Sequence, residues 1–271
     1  MKYAIISDLH ANLEALKAVM LAIDNDGVDK VACLGDLVGY YADPNACLKL
    51  VREQEISCVA GNHDRIAAGL KEPVDCWDLA RESLYWTRGQ LTGEHLAFLG
   101  GLPLFKQMDQ SFLMVHAALH PVPNEDRYLS NDAEVMKSFR VLIDEPSKIQ
   151  LCFFGHTHLP VVYEYQNGSL NTIRQGKVGL NPAAYYLVNP GSVGQSRDAD
   201  PRASFLTFDS EQRVIWFHRI PYDRRTCYKK TRKAGLVFKE SLPYRIKHIK
   251  DRTLSMLGRW IRSWLGLKLK R

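Results

Sequence analysis

The sequence of 271 residues lacks the features of a secreted disulfide-rich protein and of an integral membrane protein. Its six cysteines show no paired spacing, and Cys33, Cys58 and Cys152 lie in apolar runs typical of buried strands. Buried, unpaired thiols are typical of a reducing compartment. No apolar run reaches the roughly 18 residues that a membrane span requires. The first residues form a predicted strand, not the apolar segment of a signal peptide, so we expect a cytoplasmic protein.

Internal repeats and low-complexity stretches are also absent, and the charge is unevenly distributed. The formal net charge is +6, but residues 222–271 contain 16 Lys or Arg and three acidic residues, a net charge of +13. Residues 1–221 therefore carry −7. An acidic body with a basic tail indicates two parts with different roles. We expect residues 1–221 to form one domain and residues 222–271 to form a C-terminal extension.

The hydrophobic pattern changes along the chain. Short apolar runs first alternate with helical patterns, and runs rich in aromatic and β-branched residues follow from Val161. The pattern predicts helices at residues 12–27, from residue 44, at 77–91 and at 92–99, and hairpin turns at Asn167-Gly168 and at residues 209–211. Repeated β-α-β units that lead into antiparallel strands predict an α/β fold with packed sheets and outer helices.

Five predicted strand ends carry side chains that can bind metal ions. In chain order they are Asp8-Leu9-His10, Gly35-Asp36, Gly61-Asn62-His63-Asp64, His116 and Gly155-His156-Thr157-His158. The carboxyl ends of strands form the ligand crevice in layered α/β folds, so we expect these segments to converge. Carboxylate, imidazole and amide groups suit Mn, Fe or Zn ions, and the lack of Cys ligands argues against structural zinc. Each motif alone is common in surface turns, but the five together indicate a metal centre.

This order of motifs resembles the calcineurin-like metallophosphoesterases, whose pattern is D-x-H, G-D, G-N-H-D/E, H and G-H-x-H. The similarity extends to residues 35–45, 86–91 and 188–195, which resemble a bacterial and archaeal subgroup of small phosphodiesterases related by similarity to diadenosine tetraphosphatase. The resemblance covers about residues 1–220. It implies an αββα four-layer sandwich with the basic C-terminal extension added to it.

The resemblance also implies a set of site residues and two divalent ions, with Mn favoured and Fe, Zn, Ni or Mg as alternatives. One ion would be held by Asp8, His10 and His158, the other by Asn62, His116 and His156, with Asp36 bridging both. Two ions lower the pKa of a bridging water toward neutrality, which gives hydroxide for attack on phosphorus. His63 would protonate the leaving alkoxide, and Asp64 would orient His63 and raise its pKa.

Two further residues are candidates for substrate contact. Asn12 follows the first motif and either supports the site or caps the first helix. Arg197 could contact a substrate phosphate or lie in solvent, and it follows Asn189-Pro190-Gly191-Ser192, which we interpret as a tight structural turn. His120 departs from the subgroup, which carries Gly-Ser-Pro after the histidine that corresponds to His116.

These motifs predict a phosphoesterase that hydrolyses phosphodiesters, and a phosphomonoesterase or a dinucleoside polyphosphate hydrolase is the alternative. A protein Ser/Thr phosphatase is disfavoured, because residues 35–41 lack the Arg of the G-D-x-x-D-R-G motif. A non-catalytic scaffold would be expected to have lost ligands or His63, and this chain retains all of them.

The basic tail predicts a second interaction. From Leu254 onward, apolar residues fall on one face of a helix: Leu254, Leu257, Trp260, Ile261, Trp264, Leu265 and Leu267. The opposite face is rich in Arg, a pattern typical of a helix at the surface of an anionic membrane. We therefore expect peripheral association with the inner membrane surface. The alternatives are packing on the domain, packing on a second subunit of a homo-oligomer and, less favoured, nucleic-acid binding.

Overall fold

The computed structural model describes residues 1–74, 78–120, 126–174 and 176–236. In these ranges the strands are β1 (Lys2–Ile6), β2 (Lys30–Cys33), β3 (Ser57–Cys58), β4 (Phe105–Met108), β5 (Phe112–Val115), β6 (Leu151–Phe153), β7 (Val161–Gln166), β8 (Ser169–Ile173), β9 (Lys177–Gly179), β10 (Tyr185–Asn189), β11 (Ala203–Asp209) and β12 (Val214–Ile220). The helices are α1 (Leu13–Asn25), α2 (Pro44–Glu53), α3 (Asn62–Ala67), α4 (Asp78–Gln90), α5 (Gly93–Gly100), α6 (Asp132–Asp144) and α7 (Arg224–Lys233).

The strands form two six-stranded mixed sheets. The first has the order β3-β2-β1-β11-β12-β9, and the second has the order β4-β5-β6-β10-β7-β8. In the first sheet β1, β2 and β3 are parallel, and in the second β5, β6 and β10 are parallel. The predicted hairpin turns join β7 to β8 and β11 to β12, as the sequence indicated.

Three apolar cores separate four layers. The central core lies between the two sheets and contains Tyr3, Phe112, Phe153 and Phe208, which pack through edge-to-face and stacked contacts. A second core joins the first sheet to α1 and α2, and a third joins the second sheet to α6. The predicted αββα sandwich is therefore confirmed.

The first helix shows how the sequence pattern produces this packing. Ala15, Leu16, Val19, Met20 and Ile23 are spaced by three and four residues, and all are buried against the first sheet. The Asn12 side chain accepts a hydrogen bond from the Ala15 amide at 3.1 Å, which caps the helix. The cysteines in the described ranges are free and buried.

Part of the basic extension lies within the described residues. Helix α7 packs against α1 and has a basic exposed side. None of the helices in the described ranges is long and apolar enough to cross a membrane. The amphipathic helix predicted from Leu254 lies outside these ranges, and the division of the chain at residue 221 stays a prediction.

Candidate metal centre

The five ligand-bearing segments converge where β1, β2, β3, β5 and β6 end. Backbone hydrogen bonds join the first two loops, from the His10 amide to the Asp36 carbonyl (2.9 Å) and from the Ala11 amide to the Leu37 carbonyl (3.0 Å). The Gly155 amide donates to the His116 carbonyl at 2.8 Å, which joins the last two segments. The convergence that the strand ends predicted is thus present.

The backbone at this centre adopts an uncommon conformation. Five of the seven predicted ligands have a positive φ in the left-handed region: Asp8 (55°), His10 (52°), Asp36 (53°), His156 (64°) and His158 (58°). Asp and His tolerate this region better than most residues, but it still costs on the order of 1 kcal/mol or more per residue. The hydrogen bonds between the loops hold the strained conformation in place.

Close approach of the loops requires glycine at two of the motifs. A Cβ atom on Gly61 would lie 2.1 Å from the Asp36 Oδ1 atom, and one on Gly155 would lie 2.1 Å from the Ser7 hydroxyl. Both distances are far below van der Waals contact, so a side chain at either position would push the ligand loops apart.

Asp8, His10 and His158 form the first group of donor atoms, and all three are buried. The Nδ1 atoms of His10 and His158 face the carbonyls of Val38 (3.3 Å) and Gln195 (2.5 Å). We therefore assign the ring protons to Nδ1, which leaves a lone pair on each Nε2 atom. The two Nε2 atoms lie 3.0 Å apart, and His158 Nε2 lies 3.2 Å from Asp8 Oδ1. Three acceptor atoms thus face one another.

Asp36, His116 and His156 form the second group. His116 Nδ1 faces the Leu34 carbonyl at 2.8 Å, so its Nε2 atom points to Asn62 Oδ1 at 3.1 Å and to Asp36 Oδ2 at 3.3 Å. Asn62 lies at the start of α3. His156 Nε2 faces the Asp126 carbonyl at 3.1 Å, which leaves its Nδ1 atom for the centre.

The facing acceptors are the structural reason why these residues fit divalent cations. Burial lowers the pKa of His10 and of His158, which favours neutral imidazoles with lone pairs that face each other. Burial also lowers the pKa of His116, but the charge of Asp36 and the hydrogen bond to it raise that pKa to about 10. A proton on His116 and a bound cation are alternative ways to satisfy the same acceptors.

The two predicted carboxylate ligands are anionic in this environment. Burial raises the pKa of Asp8 and of Asp36, but the neighbouring histidines lower each pKa by more, so both lie below the ordinary value. Buried carboxylates surrounded by imidazoles, without a Lys or Arg ion pair in the described ranges, form a donor set suited to Mn, Fe or Zn.

His63 lies at the edge of the centre. Its ring packs against His10 and Tyr40, with ring centroids 4.8 Å apart in both pairs, and its donor atom also groups with those of His10 and Asp36. The buried Nδ1 atom faces Gly39 and has no hydrogen-bond partner among the residues that the structure describes. Burial lowers the pKa of His63, although the charge of Asp36 opposes this shift.

Asp64 does not contact His63 in the way that the sequence predicted. Its carboxylate accepts hydrogen bonds from the amides of Leu37 (2.8 Å), Val38 (3.3 Å) and Gly61 (2.9 Å). Because these amides belong to two ligand loops, the Asp64 carboxylate joins the loops and does not pair with the His63 imidazole. Burial raises the pKa of Asp64 to about 7.

The two candidates for substrate contact occupy different places. Asn12 is fully buried, and its Nδ2 atom donates to the Gly194 carbonyl at 2.8 Å and to the Tyr222 hydroxyl at 3.3 Å. Its amide group is therefore engaged within the protein. Arg197 lies beside the centre, where it donates to the His156 carbonyl at 3.1 Å and to the Tyr128 hydroxyl at 3.3 Å.

The segment around Asn189 supports the centre more than its sequence suggested. Asn189 Nδ2 donates to the Gly155 carbonyl at 2.6 Å, and the Ser192 hydroxyl donates to the Asp8 carbonyl at 2.9 Å. The segment thus connects the first and last motifs. The Asn-Pro-Gly-Ser sequence was the available signal, but it indicated a turn and not the loops that the turn contacts. His120 contacts Ser138 and Glu134 on α6 and is a structural residue.

Comparisons with known proteins agree with this geometry. Residues 1–213 match the family model described as the calcineurin-like phosphoesterase superfamily domain. An uncharacterized protein of Methanocaldococcus jannaschii is 38% identical over 239 residues, which cover 86% of this chain and 93% of that protein. The structure of a metallophosphoesterase from Sphaerobacter thermophilus is similar with a TM-score of 0.70 and 34% identity, over 88% of this chain and 95% of that one.

A hypothetical protein from Pyrococcus horikoshii has the same fold, with a TM-score of 0.68 at 17% identity, over 92% of this chain and 96% of that one. The matched residues 1–213 contain all five ligand-bearing segments. Membership of the family implies a phosphoric ester hydrolase that uses divalent metal ions and acts on a phosphate ester. The chain belongs to the calcineurin-like phosphoesterase superfamily.

Proposed function

We propose that the protein is a dinuclear metal-dependent phosphodiesterase. The observation that carries this proposal is the position of Asp36 between the two groups of buried donor atoms. Its Oδ2 atom lies 3.8 Å from His10 Nε2 and 3.3 Å from His116 Nε2. A carboxylate at that point can bind two ions at once, as two-metal hydrolases require.

The residues present would hold two divalent ions. One ion would be bound by Asp8, His10 and His158, the other by Asn62, His116 and His156, and Asp36 would bridge them. The ions would supply Lewis acidity toward the phosphoryl oxygens and a nucleophile at neutral pH. The backbone carbonyls behind the histidines orient the rings, and such partners typically contribute about 10–100-fold to metal affinity. Mn is the favoured metal, and Fe, Zn, Ni or Mg are the alternatives.

His63 is the residue that we propose as proton donor to the leaving oxygen. Its imidazole lies beside both ligand groups and makes no hydrogen bond to a carboxylate of the described part of the chain, so it is available to a group bound at the centre. Its backbone amide donates to Asp36 Oδ1 at 2.9 Å, which places the side chain relative to the proposed bridging ligand. Asp64 acts indirectly, because it holds the loops on which His63 and Asp36 lie.

Arg197 is the residue that we propose as substrate-binding. Its guanidinium makes hydrogen bonds to a carbonyl and a tyrosine hydroxyl, and no carboxylate in the described ranges pairs with it. The guanidinium lies over the Tyr128 ring, and that ring packs on His156 with centroids 4.1 Å apart. A cation held beside the metal ligands without an anionic partner is suited to bind a phosphate oxygen.

The substrate class is tested with a metal and substrate panel. The chelator-treated protein should be inactive, and Mn should restore hydrolysis of bis(p-nitrophenyl) phosphate. Hydrolysis of this diester should exceed that of p-nitrophenyl phosphate and of dinucleoside polyphosphates, because the subgroup resemblance favours phosphodiesters. Activity that survives verified removal of metal refutes the metal-dependent reaction. A preference for the monoester or for the dinucleoside polyphosphate refutes only the diester assignment.

We also propose that the C-terminal extension associates with an anionic membrane surface. Arg225, Arg232 and Lys233 are exposed on α7, a helix without acidic residues. In the sequence this basic helix directly precedes residues 237–271, which are also rich in Lys and Arg. Each Lys or Arg close to an anionic leaflet contributes about 1 kcal/mol.

A further inference from the structure

We infer that Lys230 on α7 is a positioning residue, which holds together the two loops that carry Asp8, His10 and Asp36. This inference rests on the proposed metal site. Lys230 lies beyond residues 1–213, the part of the chain that matches the family model. It contacts neither the proposed ligands nor the substrate-binding side chain, so it would act through the helices that follow the two loops.

Lys230 joins two acidic side chains from different helices. Its Nζ atom lies 2.5 Å from Glu14 Oε1, in the first turn of α1, and also pairs with Asp43 Oδ2, at the start of α2. The Glu14 and Asp43 side chains are only 15% and 20% exposed. In the described ranges these two carboxylates have no other Lys or Arg partner, and Glu14 Oε2 has no hydrogen bond.

The two helices begin directly after the ligand loops. Glu14 follows His10 by four residues, and Asp43 follows Asp36 by seven. The Tyr41 amide donates to the His10 carbonyl at 3.1 Å, and the Asp43 amide donates to the Ala11 carbonyl at 3.2 Å. A displacement of either helix start is therefore transmitted to His10 and Asp36 over a few hydrogen-bonded residues.

Two more contacts connect the same part of the chain to these loops. The Tyr222 hydroxyl accepts a hydrogen bond from Asn12, and the Tyr228 ring packs against the buried Tyr41 with centroids 6.3 Å apart. Loss of the Lys230 charge would leave two largely buried carboxylates next to each other without a counter-ion. Their repulsion would separate the starts of α1 and α2 and loosen the loops.

The test compares Mn binding by Lys230→Met and Lys229→Met in the full-length protein. Lys229 is exposed on the same helix and has no ion pair in the described ranges, so its substitution removes the same charge without the contact. The Mn titration follows the free-ion signal by electron paramagnetic resonance at a temperature where both variants are folded. Thermal unfolding with chelator is recorded separately, because a purely structural residue would change only that measurement.

Lys230→Met should weaken Mn binding about tenfold, the lower end of the range for residues that support metal ligands. Lys229→Met should bind Mn as the wild type does. Adding Glu14→Gln and Asp43→Asn to Lys230→Met removes the repulsion and should restore only part of the affinity, because the bridge between the two helices is still absent. Asp43→Asn alone is a milder change and should also weaken Mn binding. This variant replaces Lys230→Met in the test if Lys230→Met does not fold.

Equal Mn affinity in the wild type and in Lys230→Met, with only a lower unfolding temperature, would overturn the inference and leave the proposed function intact. Wild-type affinity in Asp43→Asn would overturn it in the same way. A wild type that neither binds Mn nor hydrolyses phosphate esters would refute the proposed function, and the inference with it.

Discussion

Replacement of Asp36 by Asn provides the sharpest test of the proposed bridging ligand. Asn keeps the shape of the side chain and an oxygen that can accept the 2.9 Å hydrogen bond from the His63 amide. It presents an NH₂ group, in place of Oδ2, to the Nε2 atoms of His10 and His116. The variant should therefore fold, but both proposed ions lose a negatively charged ligand.

The expected effect is a smaller stabilisation by Mn. At a free Mn concentration 100 times the Kd, one bound ion stabilises the folded protein by about 2.7 kcal/mol. For a protein of this size, that raises the unfolding temperature by roughly 5–11 °C. If Asp36→Asn weakens binding 100-fold, the stabilisation at the same Mn concentration falls to about 0.4 kcal/mol, or roughly 1–2 °C.

The assay is differential scanning calorimetry of the wild type and the variant, each with chelator and with Mn. The difference between the two scans of one protein isolates the metal effect from any change in intrinsic stability. An Mn-dependent rise in the variant as large as in the wild type would refute the bridging assignment. A full complement of two ions in the variant, measured by elemental analysis, would refute it as well.

Three further substitutions or truncations test the remaining assignments. His63→Ala should retain metal binding but lower kcat by about 10²–10⁴-fold for an alkyl leaving group, and less for nitrophenolate, which needs no proton. Equal decreases in kcat for the two leaving groups would assign His63 to substrate positioning. Arg197→Met should raise KM about 10–100-fold, because a hydrogen bond to a charged group contributes about 1.5–3 kcal/mol. The Mn affinity measured by titration should stay unchanged. An unchanged KM would remove Arg197 from the substrate site. Full-length protein should float with anionic but not neutral liposomes, and a chain truncated after Pro243 should not; failure to float with anionic liposomes would contradict membrane association.

The parts of the fold that the sequence predicted are those with strong local signals. The face of α1, the helices at residues 78–90 and 93–100 and the hairpin turn at Asn167-Gly168 each depend on periodicity or turn residues within one short segment. The five ligand-bearing segments were also recognisable, because each polar motif directly follows an apolar run. Their convergence then followed from the placement of parallel strand ends in a layered fold.

The parts that the sequence did not predict depend on contacts between distant segments. Asp64 is adjacent to His63 in sequence, which suggested a carboxylate–imidazole pair, but its hydrogen-bond partners Leu37 and Val38 lie on another loop. The Asn189 contact to Gly155 spans 34 residues, and the Lys230 contact to Asp43 spans 187. Local pattern does not specify which loop such a side chain will meet.

The left-handed backbone of Asp8, His10, Asp36, His156 and His158 has a consequence for protein engineering. Gly or Asn occupies this conformation with less strain, so substitution at these positions would relax the backbone and also remove the facing acceptor atoms. A library selected for thermal resistance in the presence of chelator, without selection for catalysis, should therefore accumulate Gly and Asn at these five positions. The proposed metal ligands would be among the first residues lost from a lineage that no longer needed the reaction.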